Sequence, residues 1–224
     1  MPDGAGLVAA IRAALPTGIA VAFADPKAEP SGLLPGEVLA NPVARRLAEF
    51  AAGRRAARGA MAMLGMVPTA IPHGADRAPC WPQGVVGSIS HTDQLCLAIV
   101  GHSGDWAGLG MDLEHDRPLE PELWPEILRP DEFARVRSLP DPGRGSAAMA
   151  VFVAKEAAYK AQYPTSRTLF DFHALAVAWR SDRFEAAFMK DVPGFGQGTR
   201  IAGQICRADG YVATVCAIRR LAAA

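Results

Sequence analysis

The sequence has few of the features that mark secreted, membrane-spanning or nucleic-acid-binding proteins. Its four cysteines form no Cys-x-x-Cys pair and no metal-like spacing, which favours a reducing cytoplasm. No apolar run approaches the roughly 18 residues of a membrane-spanning helix. The start, Met-Pro-Asp-Gly, lacks the basic segment and apolar core of a signal peptide. Lysine plus arginine and aspartate plus glutamate both number 23, so no overall field favours nucleic acid or an anionic membrane.

The chain is long enough for one large domain or two small ones, with 224 residues of which half are hydrophobic. Apolar periodicity predicts helices over residues 4–15, 42–63, 130–138 and 146–162. It predicts strands over residues 19–23, 85–90, 95–100 and 107–114. Four more short segments, typical of an antiparallel meander, follow at 174–180, 183–189, 200–207 and 211–219.

Two acidic motifs carry the strongest chemical signal. Asp112 and Glu114 alternate along a predicted strand, so they share one face with Cα atoms roughly 6.5–7 Å apart. If Glu156 of the later motif Phe152–Lys160 joined them, three carboxylates would need a proton or a divalent cation to offset their repulsion. Oxygen ligands beside substrate phosphates suit Mg²⁺. Taken alone, however, the Glu156/Lys160 pair at i,i+4 is an ordinary stabilising helix pair.

An arginine-rich helix precedes these motifs. Its five arginines are Arg45, Arg46, Arg54, Arg55 and Arg58. A guanidinium is a planar fork suited to phosphate oxygens. The alternative is a solvated basic face, and Glu49 is placed to pair with Arg45 or Arg46.

His91 follows the small, hydroxylated run Gly87–Ser90 at a predicted strand end. Backbone amides and serine hydroxyls in such a position can reach a phosphate. A lone histidine is more often a structural hydrogen-bonding group, so both interpretations stay open for His91 by itself.

Together these segments carry a family resemblance. The arginine-rich helix, Arg77–His91, Gly110–Glu114 and Phe152–Ala161 occur in the order and spacing of the 4′-phosphopantetheinyl transferases. The chain most closely resembles the branch typified by the enterobactin synthetase component D, over roughly residues 40–175. The resemblance implies a monomeric α+β fold of two similar halves, 1–105 and 106–224, related by a pseudo-twofold axis. The coenzyme A site would lie between them.

The resemblance also implies roles for individual residues. The Mg²⁺ ligands would be Asp112, Glu114 and Glu156. Glu156 would also help to deprotonate the nucleophile, and Lys155 and Lys160 would stabilise charge on the pyrophosphate. The remaining coenzyme A contacts would come from Arg46, Arg54, Arg77, Ser90 and His91.

The implied reaction moves phosphopantetheine from coenzyme A to a serine of an apo carrier protein and releases 3′,5′-ADP. The implied partners are carrier domains of peptide, siderophore, polyketide or fatty-acid synthesis. Loop 115–130 is the candidate docking surface, through Leu119 and Leu123, with Trp124 more easily interpreted as buried. Two alternatives are a non-catalytic coenzyme A-binding module and a Mg²⁺-dependent phosphohydrolase or nuclease. The second leaves the arginine helix and residues 81–91 unexplained.

Overall fold

Two antiparallel sheets, each packed against a long helix, organise residues 4–220, which are the residues that the computed structural model describes. The helices are α1 (Ala5–Ala14), α2 (Ala44–Met63), α3 (Trp124–Ile127), α4 (Pro130–Ser138) and α5 (Gly143–Ser166). The strands are β1 (Ile19–Ala24), β2 (Val85–His91), β3 (Cys96–His102), β4 (Trp106–His115), β5 (Leu175–Trp179), β6 (Arg183–Phe188), β7 (Arg200–Ala208) and β8 (Tyr211–Arg219). Residues 1–3, on which the expected absence of a signal peptide partly rests, lie outside the described range.

The N-terminal sheet has the strand order β1-β3-β2, and α2 covers it. Alanines on one face of α2, such as Ala56, Ala57 and Ala60, are buried against the sheet residues Ala98 and Val100. Small side chains let the helix backbone approach the sheet closely. This leaves the arginines of α2 on its remaining faces, where they can serve the site.

The C-terminal sheet has the order β4-β8-β7-β6-β5. The predicted meander is confirmed, because β5 to β8 pair consecutively and antiparallel. The strand that carries the acidic motif adds beside β8, with Asp112 opposite Thr214. Helix α5 lies across β4 so closely that a Cβ atom at Gly108 or Gly110 would be 1.9 Å from a helix carbonyl oxygen.

The two sheets meet where β2 lies beside β4. Ser88 Oγ accepts a hydrogen bond from Met111 N at 3.1 Å, and Ser90 Oγ accepts one from Leu113 N at 3.2 Å. Two backbone N–H groups at the edge of β4 thus donate to serine hydroxyls of β2, and we call this contact between β2 and β4 the seam. One apolar cluster joins both sheets, since Leu97 and Met111 belong to it together. The α+β class with two sheet-and-helix halves is confirmed; the pseudo-twofold axis, the boundary at residue 105 and the monomeric state stay predictions.

The loop after β4 corrects one expectation. Leu119 is only 7 % exposed and belongs to the core of the C-terminal half. Its carbonyl accepts a hydrogen bond from Trp124 Nε1 at 3.0 Å. The prediction of Leu119 as an exposed carrier contact is therefore wrong, whereas Leu123 is exposed and Trp124 is buried as interpreted.

Among residues 4–220, no helix combines the length and the apolar composition that crossing a membrane requires.

Candidate functional site

A cavity of about 1110 Å³ opens between α2, β2, α5 and the loop around Asp76. Small-molecule sites typically enclose roughly 300–1,000 Å³, so this cavity can hold a large ligand. Its lining includes five of the residues singled out from the sequence: Arg46, Arg54, Arg77, His91 and Lys160. Five cationic or hydrogen-bonding groups from α2, β2, α5 and the loop around Asp76 thus face one space.

Asp112 is 5 % exposed and is not part of the cavity wall, but it contacts Lys160, which is. Its Oδ1 accepts hydrogen bonds from Lys160 Nζ at 2.6 Å and from Ser90 Oγ at 2.9 Å. Its Oδ2 is buried and has no hydrogen-bond partner among residues 4–220. A buried carboxylate oxygen without a partner costs free energy unless a ligand or ion engages it. The arrangement thus keeps one oxygen of Asp112 available.

Burial and the negative charge of Asp112 both raise the pKa of Glu114 and of Glu156. Burial raises the pKa of Glu114, and Asp112 and Glu156 raise it further, while Lys160 opposes them. Burial also raises the pKa of Glu156, with Lys160 lowering it and Asp112 raising it. The charge of Asp112 thus contributes to both pKa shifts, and a shared metal site for the three carboxylates stays a prediction.

The three carboxylates suit a cation in their chemistry but do not enclose one. Within the described range, no three His, Cys, Asp or Glu side chains converge closely enough to enclose a metal ion. The donor set itself is right for Mg²⁺, because all three groups are carboxylates and Asp112 offers a free buried oxygen. Mg²⁺ commonly takes only one or two protein carboxylates and completes its shell with water and substrate phosphates. The residues therefore fit the ion, although they do not form a closed cage.

Lys155 does not line the cavity. Its ammonium is 1 % exposed and donates to Glu132 Oε2 and to the carbonyl of Ile127, both at 2.7 Å. Glu132 also accepts from Val177 N at 2.6 Å, so the pair ties α5 to α3, α4 and β5. Burial lowers the pKa of Lys155, and Glu132 raises it. The prediction that Lys155 contacts the pyrophosphate is wrong in this structure, because its ammonium is already bound inside the C-terminal core.

We expect Lys155→Met to destabilise the fold strongly. It would leave Glu132 as a buried charge without its cation, and breaking a buried pair in this way costs about 3–5 kcal/mol. The double variant Lys155→Met/Glu132→Gln should recover part of this loss in a double-mutant cycle of urea unfolding. A Lys155→Met protein of unchanged stability but with a raised KM for coenzyme A would support the predicted contact of Lys155 with the pyrophosphate.

The arginines of α2 divide into two groups. Arg55 donates to the carbonyls of Asp25, Glu29 and Ser31, and Arg58 pairs with the buried Glu37. These two anchor the irregular segment before α2, so their role is structural. Arg45, whose side chain is exposed, pairs with the buried Glu49, and Arg46 also lies 3.6 Å from Glu49.

Arg46 and Arg54 face the cavity instead. The guanidinium of Arg54 lies 3.9 Å from the centre of the Phe50 ring and donates from Nε to the carbonyl of Ile71 at 2.9 Å. Its Nη2 is buried without a partner among the described residues. Burial lowers the pKa of Arg54 to about 10, so it remains charged at neutral pH. Arg54 therefore both supports the loop at Ile71 and keeps one donor free.

The other arginine that faces the cavity, Arg46, contacts His91. Arg46 Nη1 lies 3.1 Å from His91 Nε2. A guanidinium can only donate, so Nε2 must accept and the imidazole is neutral. Burial lowers the pKa of His91, Glu49 raises it, and Arg46 and Lys160 lower it again, which agrees with the neutral form. In this neutral ring the proton is on Nδ1, and a hydrogen bond to the backbone of Thr92 also raises the pKa of His91.

Ser90 lies between the two sheets. The residue is 7 % exposed and is not part of the cavity wall. Its hydroxyl donates to Asp112 and accepts from Leu113 N and from Lys160. Its contact with a phosphate of coenzyme A stays a prediction.

Sequence reasoning missed two contacts, one at the cavity and one in the C-terminal core. Tyr163 OH donates to Asp76 Oδ2 at 2.6 Å, and this bond joins α5 to the loop on the opposite side of the cavity. No sequence pattern pairs these residues. Glu132 had a local signal, since Pro130 opens α4 and an acid at the third helical position forms a capping box with Arg129. Its bond to Lys155 is a tertiary contact that the motif does not contain.

Comparison with known proteins matches both halves of the chain. The family model for the 4′-phosphopantetheinyl transferase N-terminal domain matches residues 34–101. The model for the 4′-phosphopantetheinyl transferase superfamily matches residues 108–216. The 4′-phosphopantetheinyl transferase Svp of Streptomyces mobaraensis is 34 % identical over 216 residues, which cover 88 % of this chain and 83 % of that protein. This chain belongs to the 4′-phosphopantetheinyl transferase superfamily.

Two further relatives match smaller parts of this chain. The transferase PptT of Mycobacterium tuberculosis is 32 % identical over 167 residues, covering 72 % of this chain and 73 % of that protein. Enterobactin synthase component D of Salmonella typhi is 38 % identical over 122 residues, covering 52 % of this chain and 48 % of that protein. The family predicted from the four motifs, and its transferase class, are confirmed.

Proposed function

We propose that this protein transfers 4′-phosphopantetheine from coenzyme A to a serine hydroxyl of an apo carrier protein in a Mg²⁺-dependent reaction. The observation that carries the proposal is the free, buried Oδ2 of Asp112, whose carboxylate binds Lys160 at the wall of a large cavity that arginines and His91 also line. The names of the relatives support the transferase activity. A polyanionic coenzyme needs both positive side chains and a cation, and this cavity offers groups for each.

Asp112, Glu114 and Glu156 would hold Mg²⁺, which when bound supplies positive charge that offsets the charge of the pyrophosphate. Lys160 remains beside Asp112 and adds a second positive charge on the cavity side. The residues of this chain mainly position charges, as expected where phosphoryl transfer asks little covalent chemistry of the protein.

Glu156 is our candidate to receive the serine proton, directly or through water. Burial raises its pKa above that of a free glutamate, which makes its carboxylate a better base near neutral pH. The serine oxygen then forms a bond to the β-phosphorus of coenzyme A. The bond from that phosphorus to the bridging oxygen breaks, and 3′,5′-ADP leaves with the electron pair.

The remaining cavity groups would bind the coenzyme. Arg46 and the free donor of Arg54 suit the 3′-phosphate or the adenine region, and the Nδ1–H of His91 suits a phosphate oxygen. Arg77 lies on the cavity wall with φ 66°, a left-handed conformation that is uncommon for a residue with a side chain. We assign it to the coenzyme as well.

The direct test is incubation of the purified protein with coenzyme A, Mg²⁺ and a panel of apo carrier proteins. A mass gain of one phosphopantetheine arm on the carrier, with 3′,5′-ADP in solution, supports the proposal. Coenzyme A binding without any modified carrier would support a non-catalytic module. Phosphate release without transfer would support a hydrolase.

A substitution in α2 tests the coenzyme contacts. Arg46→Ala should raise the KM for coenzyme A roughly 10- to 100-fold, because a hydrogen bond to a charged group contributes about 1.5–3 kcal/mol. With 3′-dephospho-coenzyme A the penalty should shrink if Arg46 binds the 3′-phosphate. Arg46 is a cleaner choice than Arg54, whose removal would also free the carbonyl of Ile71.

Arg55→Ala is the matched control on the same helix. Arg55 bonds to backbone carbonyls before α2 and is not part of the cavity wall. We expect its loss to leave the KM for coenzyme A unchanged. An equal rise in KM for both variants would show that α2 as a whole, rather than Arg46, was disturbed.

We also propose which synthases supply the carrier protein and in which compartment the transfer occurs. Relatives named enterobactin synthase component D make a siderophore synthetase one candidate carrier source, beside other peptide, polyketide and fatty-acid synthases. We propose a cytoplasmic location, supported by three buried free thiols, Cys96, Cys206 and Cys216. Leu123 remains the exposed apolar candidate for carrier docking on the loop after β4.

A further inference from the structure

Residues 72–80, which we call the cavity loop, supply one wall of the cavity. The backbone closes this loop on itself, since Cys80 N donates to the carbonyl of Pro72 and Gly74 N donates to that of Ala78, both at 2.8 Å. These local bonds set the shape of the loop. They do not set the position of its tip relative to α5 on the other side of the cavity.

Asp76 at the tip supplies the missing link. Its Oδ1 accepts from Ala78 N at 3.0 Å, and its Oδ2 accepts from Tyr163 OH at 2.6 Å. Within the part of the chain that the structure describes, the bond to Tyr163 is the only hydrogen bond from residues 74–78 to another element. One carboxylate therefore closes the tip around Arg77 and ties it to α5.

Tyr163 is held in place on the α5 side. Its ring centre lies 5.9 Å from that of Tyr159, and the guanidinium of Arg167 lies 5.7 Å from the Tyr163 ring. The hydrogen bond between them raises the pKa of Tyr163 and lowers the pKa of Asp76. At neutral pH the phenol is therefore the donor and the carboxylate is ionised, which is the stronger kind of hydrogen bond.

The consequence concerns Arg77, the neighbour of Asp76. Its backbone has φ 66°, and its side chain belongs to the cavity wall. A bond between partly exposed groups adds little to overall stability, but this one joins two walls of the same cavity. A loop that is already held in its binding position costs less to order when a ligand enters.

We propose that Tyr163 is a positioning residue that, through Asp76, holds the cavity loop and Arg77 in place for coenzyme A. This deepens the proposed function and rests on it. Without the bond, coenzyme A should bind roughly 3- to 10-fold more weakly, the size expected for the loss of one hydrogen bond. The kcat at saturating coenzyme A should stay unchanged, because the Tyr163 hydroxyl binds only Asp76 in this structure.

The experiment is a double-mutant cycle of Tyr163→Phe and Asp76→Ala, with the Kd of coenzyme A measured by calorimetry and KM and kcat measured in the transfer assay. Tyr163→Phe keeps the ring and removes only the hydroxyl. We expect it to raise Kd and KM in the wild-type background and to have no effect in Asp76→Ala, where its partner is already absent.

Two further variants serve as rescue and control. Asp76→Asn should stay close to wild type, because a carboxamide can accept from Ala78 N through its oxygen and donate to Tyr163 through its nitrogen. Asp191→Ala removes another exposed aspartate that caps a loop, through Gln197 N at 2.8 Å, but lies outside the cavity wall. Its Kd for coenzyme A should equal that of wild type.

Hydrogen exchange in the ligand-free protein tests the loop directly. The amides of Gly74 and Cys80 should exchange faster in Tyr163→Phe than in wild type, because the loop opens more often when its link to α5 is lost. Asp191→Ala should leave these two amides unchanged. This measurement needs no coenzyme and no carrier protein.

Penalties in Kd that simply add in the double variant would overturn the inference, because the two side chains would then act independently. Faster exchange with an unchanged Kd would show a link without a role in binding, and a lower kcat with an unchanged Kd would place Tyr163 in another role; both overturn it. Wild-type protein that fails to bind coenzyme A would instead refute the proposed function. The two failures are thus distinguishable.

Discussion

Asp112→Asn should reduce phosphopantetheine transfer by on the order of 10³-fold while the protein remains folded. Asparagine keeps the shape of aspartate and can still accept from Ser90 and Lys160 through its amide oxygen. It removes the negative charge, however, and metal-based stabilisation of phosphoryl charge contributes several kcal/mol, at about 1.4 kcal/mol for each factor of ten. The measurement is carrier mass gain against time over a Mg²⁺ titration, with circular dichroism to verify folding.

Asp116→Asn is the matched control, because the same chemical change is made just beyond the same strand. Asp116 forms an ion pair with Arg207 at 3.2 Å, and both groups are about one-third exposed. A partly exposed pair of this kind contributes little stability, so we expect near-wild-type transfer. If Asp112→Asn retained normal turnover and an unchanged Mg²⁺ requirement, the metal site would have to be placed elsewhere.

Gly110→Ala should produce an unusually large loss of stability for the addition of a single methyl group. The new Cβ would lie 1.9 Å from the carbonyl oxygen of Ala157, which belongs to the backbone of α5 and cannot rotate away. The helix or the strand must therefore move, at a cost of about 3 kcal/mol or more. Because α5 carries Glu156 and Lys160, the same shift would separate them from Asp112. We expect a lower urea midpoint together with loss of transfer by the remaining folded protein.

Gly104→Ala supplies the comparison. Gly104 lies in the turn between β3 and β4, and a Cβ there would meet no atom within 4 Å. Its stability and activity should stay close to wild type. A Gly110→Ala protein with an unchanged urea midpoint would mean that α5 and β4 are less tightly packed than the structure indicates.

Much of the fold could be predicted because the relevant signals are local. Strand alternation places Asp112 and Glu114 on one face, and this periodicity is a property of the backbone. Apolar periodicity predicted α2 and α5, whose observed bounds, Ala44–Met63 and Gly143–Ser166, differ from prediction only near the ends. The family followed from motif order. For the site, the family resemblance rather than a local pattern predicted that Arg46, His91 and Lys160 lie together, and all three line the cavity.

The sequence could not determine which partner a polar side chain bonds when several partners are possible. Lys155 and Lys160 are five residues apart on α5, and only the packing of α4 and β5 decides that Lys155 points to Glu132 while Lys160 points to Asp112. Likewise, Ser90 became a partner of Asp112 because β4 lies beside β2, a pairing between segments 22 residues apart. The sequence by itself therefore determined the secondary structure, the family and the chemical types at the site. The tertiary structure alone decided which charges are buried in pairs and which remain free for a ligand, because that depends on distances between elements that no local pattern encodes.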